Sequence, residues 1–121
     1  MKTKNDPRHL RRIACVKELF ASSFHTQPVA LEHTRKVLAK QSEIDKFIAK
    51  SAPEWPLDKI EKIDLAIIRS AVYELLHEEK TPSKVIIDEA IEIAKEFGKE
   101  NSPKFVNGVL GTILLWTRKT S

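Results

Sequence analysis

Ile87-Asp88-Glu89-Ala90-Ile91-Glu92-Ile93-Ala94-Lys95-Glu96-Phe97-Gly98, followed after a short polar interval by Lys104-Phe105-Val106-Asn107-Gly108-Val109-Leu110, is the stretch that decides how this chain folds. Ile87, Ala90, Ile91, Ala94 and Phe97 recur at helical spacing. Gly98 stands where a helix C-terminus favours a left-handed residue, and that conformation is expected of it. Ser102-Pro103 then restarts a helix, with Ser as N-cap and Pro at the first helical position, where its missing N–H costs nothing. The stretch therefore reads as two helices joined by a short capped turn.

Working outward, the same period continues on both sides. Ile60, Ile63, Ile67, Ala71 and Leu75 share one face of a helix expected over about 57–78, and Ile68, Val72 and Leu76 flank them. A stripe that wide implies burial on more than one side, as for the central helix of a bundle. Thr81-Pro82 repeats the start signal for the helix that ends at Phe97. Nearer the N-terminus, a helix over about 7–24 buries Ile13, Val16, Leu19 and Phe20 and carries Arg8, Arg11 and Arg12 as a basic shoulder. A second helix over about 29–50 reads as one element or as two split near Gln41-Ser42. Between them His25 to Pro28 breaks the pattern, and Pro53 and Pro56 forbid helix across the later turn. Trp55, in that turn, is expected to plug the end of the core, with ligand stacking as the alternative. Gly108 and Gly111 lie inside the last helix, about 103–116, where each costs roughly 1 kcal/mol against Ala. Close backbone approach is the expected reason. No strand pattern and no repeat emerges. The fold class is a compact, single-domain, all-α bundle of five to six helices over residues 1–121, with 1–7 a flexible basic arm.

Composition bounds the function. The chain has 121 residues, 41% hydrophobic and 31% charged, a globular balance with one core. No apolar run reaches bilayer length, and Met1 to Arg12 lacks the apolar core of a secretory signal. Cys15 is the only cysteine, which excludes an intrachain disulfide and fits a cytoplasmic location. Net charge is +4, and its distribution matters more than its size. Lys2, Lys4, Arg8, Arg11 and Arg12 crowd the N-terminus against Asp6 alone, a footprint that suits phosphate as well as a merely solvated tail.

Catalytic constellations are missing. His9, His25, His33 and His77 have no zinc spacing, and His33 reads as solvated. Cys15, within an apolar helix, reads as a buried thiol. Asp88, Glu89 and Glu92 sit in the first half of their helix, where they suit its dipole and solvate its outer face. Neither a metal nor a cofactor is expected. Binding fits better: a basic helix shoulder with Phe20 at its far end, and a helix N-terminus at Ser102 to Phe105 with Lys104, together offer phosphate contacts and ring stacking. Asp64 lies within an apolar helix and is expected to face outward, either to solvent or to a basic partner protein.

The wording of three segments goes further. Ile63-Asp64-Leu65-Ala66-Ile67-Ile68-Arg69, Val72-Tyr73-Glu74-Leu75-Leu76 with Val85-Ile86-Ile87-Asp88-Glu89-Ala90, and Lys104-Phe105-Val106-Asn107-Gly108-Val109-Leu110 resemble the NusB family, bacterial transcription antitermination factors, over about 55–113 and more faintly over 8–20. The resemblance implies an all-α NusB-like fold of up to seven helices and no catalysis. It implies binding of a boxA-like RNA jointly with NusE, a ribosomal protein, within the transcription elongation complex, in support of ribosomal RNA synthesis. A homodimer is left open. By position it implies RNA contacts from Arg8, His9, Arg11, Arg12, Phe20, Asn101, Ser102, Lys104 and Phe105, and partner contacts from Asp64, Ile68, Tyr73 and Glu74. Asn101 and Pro103 depart from the family's common aspartate and histidine, and the segment between Phe24 and Ser51 is short for the family. The runners-up are a NusB-like accessory to an RNA cytosine methyltransferase and a purely protein-binding helical adaptor.

Overall fold

The computed structural model describes residues 6–118. Among them lie six α-helices and no strand: α1 Pro7–Ser22, α2 Glu32–Ala39, α3 Gln41–Ser51, α4 Lys62–His77, α5 Ser83–Phe97 and α6 Ser102–Thr117, with a 3₁₀ turn at Leu57–Lys59 before α4. Residues 1–5 of the expected basic arm, Lys2 and Lys4 included, lie outside the described residues. Asp6 and Pro7, assigned to that arm, instead start α1. The Asp6 carboxylate accepts the Arg8 N–H at 2.8 Å, and Pro7 fills the first turn.

The element boundaries follow local chemistry. The long second helix divides at Lys40, whose backbone (φ −107°, ψ 10°) departs from the helical basin. The helix expected over 57–78 divides as well. Ile60 and Glu61 are extended, so the 3₁₀ turn stands apart from α4.

The core forms around α4. From Asp64 to Leu75 every residue except Arg69 is buried, so this helix is enclosed nearly all round. α1, α2, α3, α5 and α6 all pack on it, and α5 and α6 pack on each other. Ile67, Ile68, Val72 and Leu75 share one continuous apolar cluster with Val16, Leu19, Ile44, Ile48, Ile86, Ile93, Leu110 and Ile113. The end of α4 is closed from a distance. The Arg118 guanidinium donates to the carbonyls of Glu74 (3.1 Å), Leu75 (3.1 Å), Glu78 (2.9 Å) and Thr81 (2.6 Å). It thereby gives the Leu75 carbonyl, in the last turn of α4, a donor and adds a second one at Glu74 and Glu78, which already accept the Glu78 and Thr81 N–H groups.

The glycines and Trp55 depart from expectation. Gly98 is extended (φ −91°, ψ −169°), not left-handed. It is glycine because of space: a Cβ there would lie 2.6 Å from both Cβ and Oγ of Ser102 and 2.8 Å from the Ala94 carbonyl oxygen. Gly108 and Gly111 show the reverse, with nothing within 4 Å of an added Cβ, so no close approach among the described residues requires them. Trp55 does not plug the core; 52% of it is exposed.

Candidate nucleic-acid interface

α1 is the spine of the site. Its 16 residues run about 24 Å, and its two ends meet different parts of the bundle. The N-terminal end lies against the end of α4 and the first half of α5, through Arg12, Glu74 and Glu89. The other end lies near the start of α4 and the end of α5. There Lys62 Nζ stands 5.7 Å from the Phe24 ring centroid, and Lys17 Nζ stands 5.3 Å from that of Phe97. The α5–α6 turn is at this second end too. The residues expected to bind RNA are therefore divided between the ends of α1 rather than gathered in one cluster.

At the N-terminal end the cations split again. Arg12 is enclosed: Nη2 donates to Glu74 Oε1 at 2.8 Å, Nε to Glu74 Oε2 at 3.0 Å, and Nη1 to Glu89 Oε1 at 3.2 Å. Burial works against the guanidinium charge, but the two carboxylates outweigh it and raise its pKa. His9 is buried beside it, Nδ1 3.0 Å from Glu89 Oε1. Neither His9 nor Arg12 is thus the surface residue it was expected to be. Glu89, read as solvating an outer face, is buried. One signal for this was present: Glu89 falls three residues after Ile86 and four before Ile93, on the buried stripe of α5.

Arg8 and Arg11 remain exposed. Arg8 is partly engaged by Asp6, at 3.1 Å, which holds the Asp6 carboxyl down at about 2. With Lys80, these arginines line a cavity of about 350 Å³ that also includes Arg12, Glu78, Thr81, Pro82 and Glu89.

At the other end, Phe20 is half-buried and meets Phe24 edge-to-face, with centroids 5.0 Å apart. Asn101 and Lys104 are exposed, and Phe105 is half-buried beside Trp55. Ser102 is closed off from any ligand. It is fully buried, and its hydroxyl accepts the Lys99 N–H at 2.8 Å, folding the turn back on itself. It is the first residue of α6, and Asn101 takes the N-cap position without a side-chain bond.

The four residues expected at a protein partner are all buried in α4. Ile68 is core. Glu74 is committed to Arg12. Tyr73 packs between His33 and His77, with centroids 5.5 Å and 5.0 Å away. His33 is accordingly half-buried rather than solvated, and burial lowers its pKa. Asp64 is 5% exposed, not outward-facing. Burial raises its carboxyl pKa and Glu61 adds to this, while the Ser102 hydroxyl and Lys99 pull the other way. The apolar stripe of α4 wraps so far round that an acid within it has no solvent face to occupy. Cys15 is buried as expected, and burial pushes its thiol pKa up.

Among the described residues no group of His, Cys, Asp or Glu is placed to hold a metal ion, and no helix is long and apolar enough to cross a membrane. Fold and site define a six-helix bundle built on one enclosed helix, with exposed cations and aromatic rings along the α1 edge and the α5–α6 turn. The chain belongs to the NusB family, whose model matches residues 10–114. It is 50% identical over 76 residues to the transcription antitermination protein NusB of Chloroflexus aggregans, an alignment covering 61% of this chain and 51% of that one. To the protein of the same name from Roseiflexus sp. strain RS-1 it is 51% identical over 75 residues, covering 60% and 53%. The chain thus spans about half the length of the curated relatives it matches. A solved structure of T. maritima NusB superposes with a TM-score of 0.81 at 36% identity, covering 95% of this chain and 93% of that one.

Proposed function

We propose that this chain is a transcription antitermination factor that binds a single-stranded, boxA-like RNA in the cytoplasm. In this reading it acts with the ribosomal protein NusE in the elongation complex to support ribosomal RNA synthesis. It is a binding protein and performs no catalysis. The observation that carries the reading is the set of exposed cations beside rings at the α5–α6 end, Lys17 over Phe97 and Lys104 on the first turn of α6, with Arg8 and Arg11 exposed at the other end of α1. Cations that track a backbone beside rings that accept bases are what an unpaired strand requires. Membership of the NusB family, and relatives named for antitermination, support the same reading.

Two assignments change with the geometry. Arg12, His9 and Ser102 serve the RNA surface from beneath, by holding the residues around them. NusE contacts residues other than Asp64, Ile68, Tyr73 and Glu74, since α4 keeps these four inside. The test is binding to a boxA-type RNA across a salt series, with and without NusE. Affinity that falls steeply with salt and rises when NusE is added supports the reading. No binding at low salt in either arm overturns it.

A further inference from the structure

Trp55 is one of the large apolar side chains that the fold leaves in solvent, though Leu115 and Phe24 are more exposed. Its neighbours in sequence, Ala52 and Ile60, are buried, while about half of its own surface meets solvent. The exposure is not the fraying of a loose loop. Pro53 and Pro56 bracket the residue, and its N–H donates to the Ala52 carbonyl at 2.9 Å, closing a tight turn. Proline fixes φ at two of these positions, so the ring is presented on a stiff support. One ordered contact orients it. Trp55 meets Phe105 edge-to-face, with centroids 6.4 Å apart and planes at 78°. Phe105 lies in the first turn of α6 next to exposed Lys104, and Lys59 is exposed on the 3₁₀ turn that follows Pro56. Glu54 and Asp58 share the loop, so the surroundings are mixed in charge rather than uniformly basic.

We propose that Trp55 and Phe105 form a stacking platform for one unpaired base of the bound RNA, with Lys104 facing the adjoining phosphate. The proposal rests on the RNA reading above and adds to it a residue in the turn between α3 and α4. A nucleobase suits this surface better than an apolar peptide. A rigid ring with an open face binds any base through its π surface, and the half-exposed pair offers no enclosed pocket for an aliphatic side chain. Stacking also predicts a signature of its own. It contributes affinity without displacing counterions, so removing the ring weakens binding while leaving the salt slope intact.

The test combines affinity with fluorescence. Binding of a boxA-type single-stranded RNA is measured across a salt series for the wild type, W55A, W55L, W55F and K104A. Trp116 is replaced by Phe in a parallel set, so that Trp55 alone reports. W55A and W55L are expected to bind about tenfold more weakly at every salt concentration, within the range of about fivefold to a hundredfold for removal of one stacking ring. W55F should retain most of the affinity, and K104A should show a shallower salt slope. RNA should quench Trp55 emission in the W116F protein. Wild-type affinity in W55A, full rescue by the apolar but non-aromatic W55L, or quenching that follows only on adding NusE would each overturn the platform; the last would assign Trp55 to a protein contact. If the wild type binds no RNA, the RNA reading falls and the platform with it. If the wild type binds, K104A flattens the slope and W55A changes nothing, only the platform falls.

Discussion

The knot at the start of α1 and the rim around the α5–α6 turn use charge in opposite ways. In the knot, half-buried Arg12 and buried His9 lie against Glu74 and Glu89, with polar contacts of 2.8–3.2 Å. At the rim, Lys17, Lys62 and Lys104 stand in solvent, two of them over aromatic rings. Desolvated charge costs several kcal/mol per ion unless it is paired, so Arg12 is committed to the fold. The rim's cations keep their hydration and can exchange it for a phosphate. The lesson is that basic residues within one turn of each other, such as Arg11 and Arg12, serve different ends according to which side of α1 they occupy.

The contrast is sharpest at Arg12. Arg12→Ala leaves two buried carboxylates without their guanidinium partner, and should destabilise the fold by about 3–5 kcal/mol. Arg11→Ala should cost no more than about 0.5 kcal/mol, as for other exposed substitutions. Urea unfolding of both variants checks this. Equal, small losses would show that the knot contributes no more to stability than the exposed surface does.

A smaller effect is expected at the turn beneath the rim. Gly98→Ala drives a Cβ against Ser102 and the Ala94 carbonyl, and should destabilise by about 1–3 kcal/mol, as overpacking does. Because the same turn carries Asn101 and Lys104, RNA affinity should fall as well. A variant with wild-type melting temperature would mean that the turn yields freely.

Asp64, under that turn, gives a pH-dependent comparison. Its folded pKa is raised above the ordinary 3.8, first by burial. The folded state thus holds the proton more tightly than the unfolded chain, and Asp64's contribution to stability falls as pH rises from 3.8 through its folded value. Asp64→Asn removes that dependence. The stability of D64N relative to the wild type should be smallest near pH 4, grow as Asp64 ionises, and then level off. Denaturant titrations at several pH values would show it, and a gap that stays constant with pH would contradict the buried-charge account.

A small effect of opposite sign is expected on the outer face of α6. Gly111→Ala meets open space and should stabilise by up to about 1 kcal/mol, through helix propensity alone. Calorimetry of the free protein tests this, and a loss of stability would place an unseen contact on that face.

Much of the fold was legible because helices announce themselves locally. The wide stripe from Ile60 to Leu76 marked α4 as central, and Thr81-Pro82 and Ser102-Pro103 marked where α5 and α6 begin to within a residue or two. The site was less legible, because burial is set by distant partners. Nothing near Arg12 in sequence points to Glu74 or Glu89, and nothing near Thr117 marks Arg118 as the cap of α4. Trp55 misled for a related reason. A tryptophan between two prolines reads as core by composition, yet the turn those prolines impose holds it outward.

The central claim is that exposed cations of α1 and α6, not the carboxylate-bound Arg12, hold RNA. The direct measurement is the salt dependence of boxA-type RNA binding by a protein carrying Arg8→Ala, Arg11→Ala and Lys104→Ala, compared with the wild type. All three residues are exposed, so the variant should keep its fold, checked by circular dichroism and melting temperature. The slope of log affinity against log salt should become shallower by about 0.7 for each phosphate no longer neutralised, about 2 in all, and affinity at low salt should drop clearly. An unchanged slope in a folded triple variant would contradict the account and move the RNA site off this edge.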